Sequence, residues 1–121
     1  MPLVNISILK GKSPAYKKAI ADGINSAVIE TMDFPDDDRY QIIHELDDDC
    51  LQLQERKCDR VMMHLTMRAG RSNKSKQAFY AKVVENLAKD PGIDPANVLI
   101  TIVENHDIDW SFSDGVASFI V

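Results

Sequence analysis

The sequence predicts an α/β protein: two tandem βαβ repeats forming a four-stranded mixed sheet with two helices on one face. Three observations lead there. Short apolar runs of strand character alternate with longer segments of helical period in the order strand, helix, strand, and they do so twice. The second set follows the first about 59 residues later, so that Gly11 meets Gly70, Ser13 meets Ser72 and Lys17 meets Lys76. Finally, 121 residues, 45% apolar and 27% charged, suit one globular domain with a core of its own.

The first run, Leu3-Val4-Asn5-Ile6-Ser7-Ile8-Leu9, alternates as a strand does. Lys10 to Pro14 is a turn that opens a helix. Ser13 supplies an N-cap oxygen, and Pro14 suits the first helical position, where no N–H is needed. From about Pro14 to Met32, Ala19, Ile20, Ile24, Ala27 and Val28 form one stripe. The polar run Asp33 to Asp38, with Phe34 and Pro35, breaks the helix, and Arg39 to Glu45 is the second strand. In the second copy Val61 to Met67 is a strand and Arg68 to Ser72 a turn. A helix from about Asn73 to Ala88 carries Phe79, Val83, Val84 and Leu87, and a strand runs from Val98 to Val103. One residue of slippage brings Pro35 onto Pro95.

Each βαβ unit joins two parallel strands by a right-handed crossover. Two units related by a pseudo-twofold axis set their first strands antiparallel at the centre. The face away from the helices is expected to be bare and apolar, from the Ile, Leu and Met of the strands, and such a face calls for oligomerisation. The expected organisation is a single domain over 1–121: repeat one at about 2–45, a polar linker at 46–60, repeat two at about 61–104 and a tail at 105–121. The tail ends in Ala117-Ser118-Phe119-Ile120-Val121, strand-like and suited to pairing with a neighbouring subunit.

Fourteen Lys and Arg against 19 Asp and Glu give a net charge of −5, which disfavours nucleic acid or an anionic membrane as partner. Cys50 and Cys58 are too few for a disulfide framework and lack zinc spacing, so free thiols in a reduced, cytoplasmic protein are expected. No apolar run approaches the ~20 residues of a spanning helix, and the first residues show no basic segment followed by an apolar one, so a soluble protein without a signal segment is expected. Residue 2 is Pro2, small enough to permit removal of Met1.

The antiparallel centre would bring the start of the first strand beside the end of the third, and Pro2 near Arg68 and Arg71. With Met1 removed, Pro2 carries a secondary amine. A free α-amino group titrates near ~8, and an apolar pocket with two guanidinium groups disfavours its charged form. A neutral amine at neutral pH is a general base. Arg68 and Arg71 stand before a helix N-terminus, where fork donors and exposed N–H groups favour a carboxylate. An amine base beside a carboxylate clamp suits proton abstraction next to the carbonyl of a small oxo acid.

The chain resembles the tautomerase superfamily, whose members use an amino-terminal proline on a duplicated or dimerised βαβ scaffold, the fold shared with macrophage migration inhibitory factor. The likeness spans nearly the whole chain and is nearest to the malonate semialdehyde decarboxylase-like tautomerases. It rests on Met1-Pro2-Leu3, Asp38-Arg39-Tyr40-Gln41, Arg71-Ser72 with Lys76 and Phe79-Tyr80, and above all Val103-Glu104-Asn105 followed by Asp109-Trp110-Ser111-Phe112. The resemblance implies Pro2 as catalytic amine, Arg71 on the substrate carboxylate, Asp38 as acidic partner, and Trp110 and Phe112 walling the pocket. It implies a cofactor-independent enzyme, a homotrimer, acting on small oxo acids. One departure stands out: the decarboxylase pattern has an arginine two residues before Arg71, where this chain has Ala69 and instead carries Arg68, three before. That spacing is similar to cis-3-chloroacrylic acid dehalogenase, which adds a first-helix histidine where this chain has Val28.

Keto–enol tautomerisation is therefore the expected activity, with decarboxylation or hydration of a short 3-oxo acid as the alternative and a non-catalytic trimeric binding protein as the second. No metal is expected: His44, His64 and His106 lack ligand spacing, and Asp47-Asp48-Asp49 lacks the Gly and Glu of a calcium loop. Met62, Met63 and Met67 read as core.

Overall fold

A computed structural model describes residues 2–120. The removal of Met1 and the pairing expected of Val121 lie outside the described residues. Strand β1 (Leu3–Leu9) buries every second side chain, Val4, Ile6 and Ile8, against the helices. Gly11, at φ 93°, turns the chain into α1 (Pro14–Met32); the Ser13 side chain accepts a hydrogen bond from the Tyr16 N–H at 3.1 Å. Strand β2 (Tyr40–Leu46) follows, then β3 (Val61–Arg68), α2 (Asn73–Lys89) and β4 (Val98–Asn105). Elements begin or end within two residues of the ranges expected from periodicity.

The sheet order is β2-β1-β3-β4, with β1 parallel to β2, β3 parallel to β4, and β1 antiparallel to β3 at the centre. Both helices cover one face, as the fold class predicts. The two halves repeat in detail. Ser72 caps α2 by accepting from the Ser75 N–H at 3.1 Å, as Ser13 caps α1. Lys17 pairs with Glu45 at 3.4 Å and Lys76 with Glu104 at 2.8 Å, while Lys10 N–H to Leu46 O and Ala69 N–H to Asn105 O are both 2.8 Å. The same local chemistry at equivalent positions closes each crossover.

The core lies between sheet and helices, with Phe79, Ile20, Ile24, Met63, Leu65 and Leu87 fully buried. The helices approach closely at Gly23, where a Cβ would lie 3.1 Å from Leu87 Cδ2, and Asn86 Nδ2 donates to the Gly23 carbonyl at 2.9 Å. Among the described residues no helix is long and apolar enough to cross a membrane.

Three expectations need correction. The open sheet face is apolar only in part: Tyr40, Ile42, Leu99 and Val103 are exposed on it, but Asn5, Ser7, His44, His64, Thr66 and Thr101 alternate onto the same side, and His44 Nε2 lies 3.0 Å from Asn5 Oδ1. Strand periodicity sends Ile6, Ile8, Met63 and Met67 to the helix side instead, while Met62, expected in the core, is half-buried on the open face beside Leu99. The segment after β2 is not merely a polar linker. It holds a 3-10 turn at Asp48–Cys50, a buried Leu51 and Arg60, whose side chain is 3% exposed and donates to the carbonyls of Leu51, Cys58 and Asp48. Residues 117–120 form a turn rather than a strand. Asp114 and Gly115 both take left-handed φ (59° and 70°), which reverses the chain, and Ser118 N–H returns to Trp110 O at 3.1 Å.

Candidate active site

The site is built at the edge where β1 begins and β3 ends. Leu3 faces Thr66 in the antiparallel register, so the next step sets Pro2, which is buried, against Met67, one residue before Arg68. Leu3 is also the partner of Tyr40 in the parallel register, which brings the turn before β2, with Asp38, to the same edge. Within the run Asp36-Asp37-Asp38, the first two are exposed and Asp38 is half-buried.

Arg71 leaves the turn made by Gly70 at φ 128°. Its Nε donates to the Met32 carbonyl at 3.0 Å, and its guanidinium lies 4.2 Å over the Phe34 ring. That fixes one edge of the fork to the end of α1. The two terminal nitrogens make no hydrogen bond among the described residues, so the far edge of the fork is available to a planar anion. Arg68, three residues earlier, is engaged differently: Nη1 donates to Asp107 Oδ1 at 3.0 Å, and the guanidinium lies 3.7 Å over the Phe119 ring.

The tail crosses the ends of the strands. Trp110 Nε1 donates to Asn105 Oδ1 at 2.6 Å at the end of β4. Phe112 stacks on Trp110 with centroids 5.2 Å apart and an interplanar angle of 13°, and reaches Tyr40 at the start of β2 at 5.4 Å. Phe119 closes the cluster edge-on to Phe112 at 5.4 Å. The structure thus places Pro2, Asp38, Arg68, Arg71, Trp110 and Phe112 at one end of the sheet. Tyr40, Phe34, Asn105, Asp107 and Phe119 join them there and were missed from the sequence. Tyr40 and Phe34 flank Asp38, and their adjacency to it was the available signal; Asp107 and Phe119 meet Arg68 only through the fold.

The pseudo-twofold-related end carries different chemistry. There Lys12 stands at the position of Arg71, paired with Asp59, and Val61 at the position of Pro2. Val61 is internal to the chain, so no amine can arise. Tyr16 beside it has its phenol pushed up to about 12, by burial first and then by the Asp59 charge and hydrogen bond. A cavity of about 440 Å³, lined by Leu46, Leu51, Met62, His64 and Leu99 among others, opens on the sheet face, and none of the six expected site residues lines it. Asp47, Asp49 and Cys50 form an exposed acidic group, also apart from the site, whose charges hold the Cys50 thiol above its ordinary range.

Comparison with known proteins agrees with this architecture. A family model described as "Tautomerase enzyme" matches residues 38–113, and a second with the same description matches residues 2–56. The chain is 32% identical to "Probable tautomerase YrdN" of Bacillus subtilis (strain 168), covering 99% of this chain and 97% of that one, and 29% identical to "Probable tautomerase YusQ" of the same organism, covering 99% of each. Among solved structures it is similar to FG41 malonate semialdehyde decarboxylase inhibited by 3-bromopropiolate, at TM-score 0.91 and 32% identity over 97% of this chain and 93% of that one. A fused 4-OT described as a symmetric trimer shares the fold at TM-score 0.83 and 21% identity, over 94% of each chain. Fold, length-spanning identity and family match agree: the chain belongs to the tautomerase superfamily, among relatives that include malonate semialdehyde decarboxylase.

Proposed function

We propose that this protein is a cofactor-independent tautomerase of small oxo acids, working as a homotrimer, with Pro2 as general base once Met1 is removed. The observation that carries the reading is that a buried Pro2, the half-free fork of Arg71 and the Trp110–Phe112 stack all lie at the end of the sheet where β1 begins and β3 ends. Arg71 holds the substrate carboxylate with its terminal nitrogens. The Pro2 nitrogen takes the proton from the carbon beside the carbonyl. The C–H electron pair forms the enol double bond while the carbonyl oxygen gains a proton, and the reverse steps complete the isomerisation. Asp38, half-buried at the same edge, orients the amine or a water. Trp110 and Phe112 exclude solvent, which lowers the amine's affinity for a proton. The open sheet face with its exposed Ile42, Leu99 and Val103 supports subunit association, and the trimeric fused 4-OT of the same fold supports three copies.

The test is turnover of the phenylpyruvate enol by demethionylated protein, beside Pro2→Ala and Arg71→Ala. Loss of a positioned base costs about 10²–10⁴ in rate. Unchanged rates in both variants would overturn the reading, as would retention of Met1, since the Pro2 nitrogen would then be an amide.

One observation favours a second reading. The similarity to malonate semialdehyde decarboxylase, 32% and 30% identical in two structures, makes decarboxylation or hydration of a short 3-oxo acid comparable. Decarboxylation uses Pro2 protonated, to polarise the carbonyl. The pH–rate profile separates the two: base catalysis rises as the amine deprotonates, and decarboxylation falls.

A further inference from the structure

Arg68 and Asn105 are register partners at the ends of β3 and β4, on the open face, and both hold the same segment of chain. Asn105 takes the Trp110 indole N–H at 2.6 Å. Arg68 takes Asp107 with its Nη1 at 3.0 Å and presents its flat face to the Phe119 ring at 3.7 Å. Asp107 enters the tail and Phe119 nearly ends it, so the Arg68 guanidinium bridges the two limbs of the reversal made at Asp114 and Gly115. Between those limbs lie Trp110 and Phe112. The Asp107 carboxylate neutralises the Arg68 charge, whereas Arg71 has no carboxylate partner among the described residues.

We propose that Arg68 is a positioning residue: it fastens the C-terminal tail through Asp107 and Phe119 and thereby sets Trp110 and Phe112 over the Pro2 edge, while Arg71 alone holds the carboxylate. The proposal deepens the tautomerase reading and rests on it for the catalytic consequence, but the fastening itself can be measured without any turnover.

Trp110 is the single tryptophan of the chain, so its fluorescence reports the tail directly. Arg68→Ala and Asp107→Asn should each red-shift Trp110 emission and raise its quenching by acrylamide severalfold, and the double variant Arg68→Asp with Asp107→Arg should move both back toward wild type. Asp59→Asn, at the symmetry-related end, should leave the emission unchanged and controls for general loosening. Arg68 and Asp107 are 37% and 55% exposed, and far-UV circular dichroism checks that each variant keeps its fold. In turnover, Arg68→Ala and Asp107→Asn should lower kcat by similar factors of about tenfold or more, since ~1 Å of misplacement can cost ~10²-fold. Unaltered Trp110 emission in folded Arg68→Ala overturns the proposal. So does a lower KM in Asp107→Asn, the result expected if Arg68 were a carboxylate ligand freed from its partner. If no variant or wild type shows turnover, the tautomerase reading fails while the emission arm still decides the role of Arg68.

Discussion

Arg71 donates its Nε–H to the carbonyl oxygen of Met32 at 3.0 Å, tying the turn before α2 to the last turn of α1 at the edge that holds Pro2. One side chain thus braces two helices and keeps its remaining donors in a fixed plane. Arg71→Lys retains the charge but loses both the brace and the planar fork. The expected result is a KM about tenfold or more higher for an oxo acid, with Tm lowered by a few degrees, as fits one hydrogen bond worth ~1 kcal/mol. Steady-state kinetics and thermal denaturation check the two halves separately.

Arg60 is the fold's buried cation. Its bonds at 2.8–2.9 Å to the carbonyls of Leu51, Cys58 and Asp48 hold the segment between the repeats, and the exposed Asp48 carboxylate supplies the counter-charge at 2.9 Å. Arg60→Ala leaves the buried Leu51 carbonyl unpaired and opens a space where the buried side chain lay, and should cost about 1–3 kcal/mol, read from urea unfolding. Arg60→Lys should recover only part of this, because an ammonium cannot span three carbonyl directions.

Glu104 is held below the usual carboxylate range, chiefly by its hydrogen bond from Lys76. A depressed folded value means that the Lys76–Glu104 pair contributes stability above about pH 4.5 and loses it as pH falls through the folded value. In Lys76→Ala the Glu104 titration should move up toward 4.5, measured by carboxyl NMR.

Cys50 lies 3.7 Å from the Asp49 carboxylate, and that charge raises its thiol above the ordinary value, with desolvation adding to it. Less thiolate forms near neutral pH. Asp49→Asn should therefore speed alkylation of Cys50 by iodoacetamide severalfold at pH 8, followed by peptide mass spectrometry, with Cys58 as internal reference.

Much of this fold was legible because its rules are local. Alternation in Leu3–Leu9 and Val61–Arg68, the stripe of Ile20, Ile24 and Val28, and the Ser13 and Ser72 caps each need only neighbouring residues. The 59-residue repeat then allowed a pseudo-twofold axis to be inferred, and with it the placing of Pro2 near the end of β3. The Asp33–Asp38 break could be read as a break, but not the inward turn of Asp38 among its exposed neighbours, which depends on the pairing of Tyr40 with Leu3. Arg60 resembled any linker arginine, because burial is a property of what surrounds it.

The sequence by itself determined the order of elements, the duplicated turns and the chemistry offered at the first and last strands of the sheet's centre. Only the tertiary structure decided how the two arginines divide. Arg68 and Arg71 are three residues apart and alike in composition, yet Arg68 meets Asp107, 39 positions away, and Arg71 meets Met32, also 39 away in the other direction. Contacts of that range are set by how β4's tail and α1's end pack against one edge, and no local pattern encodes them.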